Sequence, residues 1–419
     1  MHSHGPLSRS KPSHPTINPH DLPPNAHPAS LMFLTVTHSL PSLSQALTSL
    51  TASSHTRRLV ALVLDTFSAD AVEVARRFGL PAYVYHPSSA TALAFTFYYP
   101  SLDEDEIVIS RKFGELVLSE PLRLPGCMPF DARDLSDLVQ DTSSDFHATL
   151  VHLCKRIRHA DGVIVNSFLH LEASPIKALQ NGKNPPVYPV GPIVQLSSSN
   201  SSSSECLAWL DDQPENSVLY VSFGSGGTLS YEQFDELAYG LEMSGHRFLW
   251  VVRAPNGSAL SGYLNPQKED PFEYLPKGFR DRTQGRGFVV KSWAPQVEVL
   301  RHGSTCGFLT HCGWNSTLES VMSGKPLIAW PLFAEQRLNA AVLSGEFKVA
   351  LRPRVNEKGI VEREEVSRVV KCVIEGEEGK EMGKRMGVFK DAAISALSKD
   401  GSSTRTLETL ATKWRNMEI

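Results

Sequence analysis

The chain has 419 residues, of which 41% are hydrophobic and 21% are charged, and its formal net charge is −4. This composition is ordinary for a soluble globular protein, and the length predicts two domains rather than one hydrophobic core. The small net charge gives no sign of a nucleic-acid partner, and no apolar run reaches the ~20 residues of a membrane span. We therefore expect a cytoplasmic protein, monomeric, with no nucleic-acid partner and no membrane span.

The cysteines are too scattered to form a metal site. No CxxC or Cys/His ligand spacing is present, so we expect reduced thiols and no bound metal. The six are Cys127, Cys154, Cys206, Cys306, Cys312 and Cys372.

The first third of the chain predicts an irregular start followed by a βαβ unit. Residues 1–30 are rich in Pro, His and Ser and are expected to be disordered or irregular. A strand fragment at 34–37 and a helix at 40–50 follow. A buried strand at 59–64 ends in Asp65, with a helix at 69–78 and a strand at 82–85.

Asp65 stands where open α/β folds bind ligands, at the carboxyl end of a strand. From the residues alone, a helix cap is the favoured interpretation. The segments 95–100 and 118–127 suit either a small-molecule pocket or simple loops. A strand at 161–168 and a helix at 171–180 extend the pattern.

A Ser-rich linker at 197–204 separates two predicted domains, 31–196 and 205–419. The second begins with a strand at 217–223, a glycine-rich turn at 224–228 and a helix at 231–243. The turn does not match GxGxxG, which disfavours a dinucleotide dehydrogenase. Further predicted elements are strands at 248–252, 288–290 and 349–351, a Pro/Gly-rich loop at 254–278, and helices at 363–375, 378–397 and 404–417.

The stretch 293–336 carries the strongest chemical signal. Predicted strands at 306–310 and 326–330 are each followed by small and polar residues that can open a helix. Asn315, Ser316 and Thr317 are good N-caps for a helix at 318–322. A helix N-terminus suits a diphosphate, with His311 able to donate to a phosphate oxygen. Glu319 either forms a surface ion pair or accepts the hydroxyls of a ribose. From the residues alone, an ordinary loop histidine and a surface ion pair are the favoured interpretations of His311 and Glu319.

This stretch resembles, over its whole length, the signature box of plant secondary-product UDP-glycosyltransferases (family 1). It opens with WAPQ, contains HCGWNSTLES and closes with an acidic residue and Gln. The resemblance implies a GT-B type α/β fold, in which two Rossmann-like doubly wound domains face a cleft. The donor would bind in the C-terminal half and the acceptor in the N-terminal half, and the last helix could pack back on the N-terminal domain.

The resemblance also assigns roles to single positions. Trp293 would stack on uracil and the Ala294 backbone would pair with its edge. Gln296 and Glu319 would hold the ribose, and His311, Asn315, Ser316 and Ser225 the diphosphate. Trp314, Glu335 and Gln336 would line the sugar, with Gln336 typical of members that use UDP-glucose. Asp65 would orient the catalytic histidine. No cofactor is implied beyond the donor substrate.

The chain departs from the family pattern at its start, where an apolar strand and a Gly-His loop have no counterpart. His2 and His4 follow no apolar strand. We therefore expect an incomplete N-terminal domain and weak activity. The leading hypothesis is an inverting UDP-glucose-dependent O-glucosyltransferase for small phenols, of the hydroquinone or monolignol type. The alternative is a non-catalytic UDP-sugar-binding fragment or interaction protein.

Overall fold

A computed structural model describes residues 28–52, 58–104, 109–112, 115–118, 120–140, 145–181, 184–194, 204–257, 259 and 270–416. Of the irregular start predicted for residues 1–30, residues 1–27 lie outside these ranges, as do residues 197–203 of the predicted linker. Ser204, expected in the linker, already begins a helix. Across the ranges just given, none of the helices combines the length and the apolar composition of a bilayer span.

The N-terminal domain contains six helices and eight short strands within its described residues. Its helices are α1 (Pro28–Ala52), α2 (Ala71–Arg77), α3 (Ala90–Glu104), α4 (Asp137–Gln140), α5 (Asp145–Ile157) and α6 (Ala173–Gln180). Its strands are β1 (Leu62–Asp65), β2 (Ala82–His86), β3 (Ile109–Lys112), β4 (Glu115–Leu118), β5 (Leu122–Arg123), β6 (Pro129–Phe130), β7 (Gly162–Val165) and β8 (Val187–Pro189).

The C-terminal domain contains nine helices and six strands within its described residues. Its helices are α7 (Ser204–Asp211), α8 (Tyr231–Ser244), α9 (Phe279–Arg282), α10 (Gln296–Arg301), α11 (Trp314–Ser323), α12 (Gln336–Ala341), α13 (Arg363–Glu375), α14 (Glu377–Leu397) and α15 (Ser402–Arg415). Its strands are β9 (Val218–Ser222), β10 (Arg247–Val252), β11 (Gly287–Lys291), β12 (Thr305–Thr310), β13 (Leu327–Ala329) and β14 (Ala350–Leu351).

Both domains are built on parallel sheets flanked by helices, which confirms the predicted α/β class. The N-terminal sheet has the order β1-β2-β7-β8, and the C-terminal sheet has the order β11-β10-β9-β12-β13-β14. The second order is that of a doubly wound nucleotide-binding fold. Strands β9 and β12 are neighbours in it although 82 residues separate the end of one from the start of the other. This reversal of strand order positions the site described below.

The two domains are joined by direct hydrogen bonds and by the last helix. The Arg352 guanidinium donates to the Asp134 carboxylate at 2.6 Å. From α15, the Ser403 hydroxyl donates to the Gly191 carbonyl at 2.6 Å, and the Trp414 indole packs edge-on against Tyr83 with ring centroids 5.2 Å apart. Helix α15 therefore lies against the N-terminal sheet.

The strand predicted at 34–37 is wrong, because these residues belong to α1, which also includes residues 28–30. Thr35 and Thr37 fit the helix since their hydroxyls donate to the carbonyls of Leu31 and Phe33, one turn back. The helical interpretation of 40–50 is confirmed.

The strand predicted at 59–64 as buried is shorter and lies at an edge. It runs as β1 and pairs with β2 alone among the described strands. Val63 is 49% exposed, whereas Leu64 is buried. A strand with one exposed face normally alternates apolar and polar residues. Here the exposed position is also apolar, so the sequence shows a continuous apolar run instead.

Candidate active site

The site lies where the order of the C-terminal sheet reverses. Thr310 at the end of β12 pairs in register with Ser222 at the end of β9. The turns that follow these two strands therefore leave the sheet side by side. In open α/β sheets, ligands bind in the crevice at such a switch point.

A polar cleft of about 400 Å³ opens at this point. All eleven residues that the family resemblance assigned to the donor line this one cleft. They include Trp293, His311 and Glu319, which the proposed pocket requires to lie together. The eleven are Ser225, Trp293, Ala294, Gln296, His311, Trp314, Asn315, Ser316, Glu319, Glu335 and Gln336.

His311 is held in the cleft between two glycines. A Cβ atom on Gly313 would lie 2.4 Å from His311 Nε2, and one on Gly224 would lie 2.5 Å from its Cε1. Gly224 also has a φ of +76°, a conformation that favours glycine. Burial lowers the pKa of His311 to about 4, so its ring is neutral at pH 7 and carries one N–H donor.

The N-terminus of α11 faces the same cleft without a side-chain cap. The helix begins at Trp314 with Gly313 as its N-cap, and no side chain among the described residues caps it. The prediction that Asn315–Thr317 precede the helix as caps is therefore wrong, since these residues form its first turn. The Thr317 N–H donates to the Gly313 carbonyl at 3.0 Å. The N–H groups of Asn315 and Ser316, earlier in the turn, have no intrahelical carbonyl to reach, which makes this end of the helix an anion site.

Three polar side chains form a connected group on the inner wall of the cleft. The Gln296 amide donates to Glu319 Oε2 at 2.6 Å and lies 2.9 Å from Ser316 Oγ. Burial raises the pKa of Glu319, while the hydrogen bond from Gln296 opposes that shift. A half-buried carboxylate held this way can accept vicinal hydroxyl groups.

Trp293 stands at the rim of the cleft, directly after β11. Its indole is 53% exposed, whereas Ala294 is 4% exposed. Trp293 also borders a larger open groove of about 1110 Å³, which contains none of the other assigned residues. An exposed ring of this size offers a stacking surface to a planar ligand.

The side chains of Trp314 and Gln336 form hydrogen bonds within the protein at the inner end of the cleft. The Trp314 indole N–H donates across the domains to the Asn166 carbonyl at 2.6 Å. Gln336 Oε1 accepts from the backbone N–H groups of Leu332 and Phe333 at 2.9 and 3.0 Å. These bonds fix the loop that carries Glu335.

Glu335 separates the cleft from a second, apolar cavity of about 240 Å³. Ala334 and Glu335 line both spaces, and the Ser88 hydroxyl donates to Glu335 Oε1 at 3.0 Å. The other side chains that line the cavity present a mostly apolar surface and come mainly from the N-terminal domain. They are Thr66, Phe67, His86, Ser88, Ala92, Phe95, Thr96, Leu135, Ser136, Val139, Phe146, Leu150, Leu153, Cys154, Ile157 and Leu338.

Asp65 lines neither space. Its carboxylate accepts from the Phe67 and Ser68 backbone N–H groups at 2.7 and 3.1 Å and from the Ser68 hydroxyl at 2.8 Å. It therefore caps the short 3₁₀ turn Thr66–Ser68, whose first two residues reach the apolar cavity.

Sequence reasoning missed the second cavity and the glycine contacts of His311. Of the segments left open between pocket and loop, 95–100 is part of α3 and contributes Phe95 and Thr96 to the cavity, while 118–127 contributes none of its described residues. His86 and Ser88 were not singled out, although both follow a predicted strand. In the part of the chain that the structure describes, no cluster of three or more His, Cys, Asp or Glu side chains could hold a metal ion.

Known proteins resemble this chain in sequence and in structure. Residues 147–399 match the family described as UDP-glucoronosyl and UDP-glucosyl transferase. Hydroquinone glucosyltransferase of Rauvolfia serpentina is 50% identical over 408 residues, covering 96% of this chain and 85% of that protein.

Two solved structures extend the likeness to the fold. UGT2 of Phytolacca americana, complexed with UDP-2fluoro-glucose and pterostilbene, has a TM-score of 0.86 at 48% identity over 96% of this chain and 86% of its own. A UDP-glucosyltransferase of Polygonum tinctorium, in complex with 3,4-dichloroaniline, has a TM-score of 0.87 at 48% identity over 96% and 85%. The chain therefore belongs to the UDP-glucoronosyl and UDP-glucosyl transferase family and is a UDP-glycosyltransferase of the plant type, a hexosyltransferase.

Proposed function

We propose that this glycosyltransferase transfers glucose from UDP-glucose, with inversion, to the hydroxyl oxygen of a small phenol. The single observation that carries the proposal is Glu335, which lines both the polar cleft and the apolar cavity. A sugar in the cleft and an aromatic ring in the cavity would meet at this residue. The relative named for hydroquinone and the neighbour solved with pterostilbene support a phenolic acceptor.

The cleft offers each part of UDP a group of suitable chemistry. The exposed Trp293 ring suits the uracil, and the Gln296–Glu319 pair suits the ribose hydroxyls. The diphosphate would lie against the first turn of α11, where Asn315 and Ser316 lie, with Ser225 beside it. The glucose would then extend toward Glu335 and Gln336.

The reaction forms a bond from the acceptor oxygen to the anomeric carbon while the bond from that carbon to the phosphate oxygen breaks on the opposite face. Negative charge grows on the departing diphosphate. Neutral His311 and the uncapped N–H groups of α11 are preorganised donors for that charge. The acceptor proton must leave as well, and it passes to solvent water as the phenol ionises. Asp65 is proposed to act on this side of the reaction.

We predict that this chain transfers glucose slowly. Among the described residues, the hydrogen bonds to Asp65 come from its own turn, and none comes from a histidine. Transfer without a general base is typically ~10²–10⁴-fold slower than transfer with one. Acidic phenols, which ionise more readily, should be the best substrates.

The test combines UDP binding with product formation. Calorimetric titration with UDP and mass spectrometry of reactions with UDP-glucose and hydroquinone are run on the same preparation. Binding together with a glucoside supports the proposal. Binding without product supports the alternative, a non-catalytic UDP-sugar-binding protein. Failure to bind UDP contradicts both.

A further inference from the structure

His86 is a buried histidine that the reaction described above does not use. It ends β2 and is 6% exposed. Neither Nδ1 nor Nε2 has a hydrogen-bond partner among the described residues. Burying polar atoms without partners is costly, so such a group in a native structure calls for an explanation.

The side chain lines the apolar cavity, which offers it few polar neighbours. Phe67, Phe95, Phe146 and Leu150 are among the apolar side chains that line the same cavity. A ring of this kind in apolar surroundings is complementary to a ligand that is mostly apolar and carries a polar group.

The protonation state of His86 defines what that polar group can be. Burial lowers the pKa of His86 to about 4, so the imidazole is neutral at pH 7. A neutral imidazole has one nitrogen that accepts a hydrogen bond and one that donates. A hydroxyl group can satisfy either nitrogen, whereas a methyl group can satisfy neither.

We propose that His86 is a specificity-determining residue that hydrogen-bonds a hydroxyl group of the phenol bound in the apolar cavity. The inference rests on the proposed function, because it takes the cavity as the acceptor site. His86 lies two residues before Ser88, which is bonded to Glu335 at the border with the cleft. One short segment thus contributes both an acceptor contact and a link to the sugar side.

The experiment measures binding of phenol and of toluene, which differ by a hydroxyl and a methyl group, by NMR titration of the full chain saturated with UDP. The His86→Phe substitution keeps an aromatic ring at this position and removes both nitrogens. We expect phenol to bind about 10-fold more weakly, as for one neutral hydrogen bond, and toluene to bind equally well or more tightly. His147→Phe is the matched control, because His147 is half-buried, bonds the Tyr99 hydroxyl and does not line the cavity.

Each outcome is decisive. Equal phenol affinity in wild type and His86→Phe overturns the proposal, as does an equal loss for phenol and toluene. If His86→Phe does not fold, His86→Leu removes the same nitrogens and is judged by the same ratio. UDP affinity and glucoside formation are measured alongside. If UDP binding and glucoside formation persist while the ratio of phenol affinity to toluene affinity is the same in His86→Phe and wild type, only the role of His86 is rejected. If the wild type does not bind UDP, the proposed function is rejected.

Discussion

The two spaces that meet at Glu335 differ in how the chain builds them. Most of the polar cleft comes from the stretch 292–336, with a few residues from β9 and the turn after it and Val251 from β10. The apolar cavity gathers side chains from four distant segments, 66–67, 86–96, 135–157 and 334–338. A site encoded in one stretch can be recognised as a motif, whereas a site assembled from distant helices depends on their packing.

A methyl group added beside His311 should cause the largest loss of activity among the changes in the cleft. In Gly313→Ala the new Cβ would collide with His311 Nε2, so the ring must move. We expect glucosyl transfer to fall about 100-fold and UDP affinity to weaken, because a misplaced donor no longer meets the charge on the leaving group. Initial rates with UDP-glucose and UDP titration measure both effects.

Gly303→Ala provides the control, because a Cβ there meets no atom within 4 Å. It should retain wild-type rates. A Gly313→Ala variant with unchanged transfer would contradict the role of His311 at the diphosphate.

The cleft was predictable because strand, turn and helix N-terminus are local features that polar residues mark directly. The roles of His311 and Glu319 followed from the resemblance, because the residues alone favoured an ordinary loop histidine and a surface ion pair. The exact start of α11 did not, because Gly313 can serve as N-cap through its backbone alone. Its closeness to the His311 ring depends on the β9–β12 pairing, which no local pattern contains.

The cavity was not predictable for a physical reason. Its Phe, Leu and Ile side chains are the same residues that form any core, so the sequence does not separate a packed position from a lining one. The strand at 34–37 was wrong for a related reason. Its β-branched residues favour a strand, yet in α1 backbone carbonyls one turn back accept the hydroxyls of Thr35 and Thr37.

Acid should destabilise both regions through one buried histidine in each. His86 and His311 have pKa values lowered by burial to about 4, against 6.5 when unfolded. Their contribution to stability is present above pH 6.5 and is lost as the pH falls toward 4, because the unfolded chain binds the proton more readily. At pH 5 the loss is about 2 kcal/mol per histidine.

Urea unfolding at pH 7.5 and pH 5, followed by tryptophan fluorescence, measures this loss. His86→Phe should reduce the acid sensitivity by about half, since His311 still titrates. An equal acid sensitivity in variant and wild type would show that His86 is charged or exposed in the folded state.

The ribose assignment can be separated from general damage to the cleft. Glu319→Ala removes the carboxylate that Gln296 holds, and we expect about 10-fold weaker UDP binding, as for one charged hydrogen bond. Binding of 2′-deoxy-UDP should change less, because that ligand has already lost one of the two hydroxyls. An equal loss for both nucleotides would contradict the assignment of Glu319 to both ribose hydroxyls.

Asp65 should show the smallest effect and belongs to the cavity side. Asp65→Ala removes the cap of the 3₁₀ turn Thr66–Ser68 and should lower the free energy of unfolding by about 1 kcal/mol. UDP affinity should stay unchanged, because Asp65 does not line the cleft. Asp65→Asn keeps an oxygen that can cap the turn but loses the charge. A loss of transfer in Asp65→Asn at wild-type stability would identify a catalytic need for the carboxylate, whereas wild-type transfer would leave Asp65 as a cap alone.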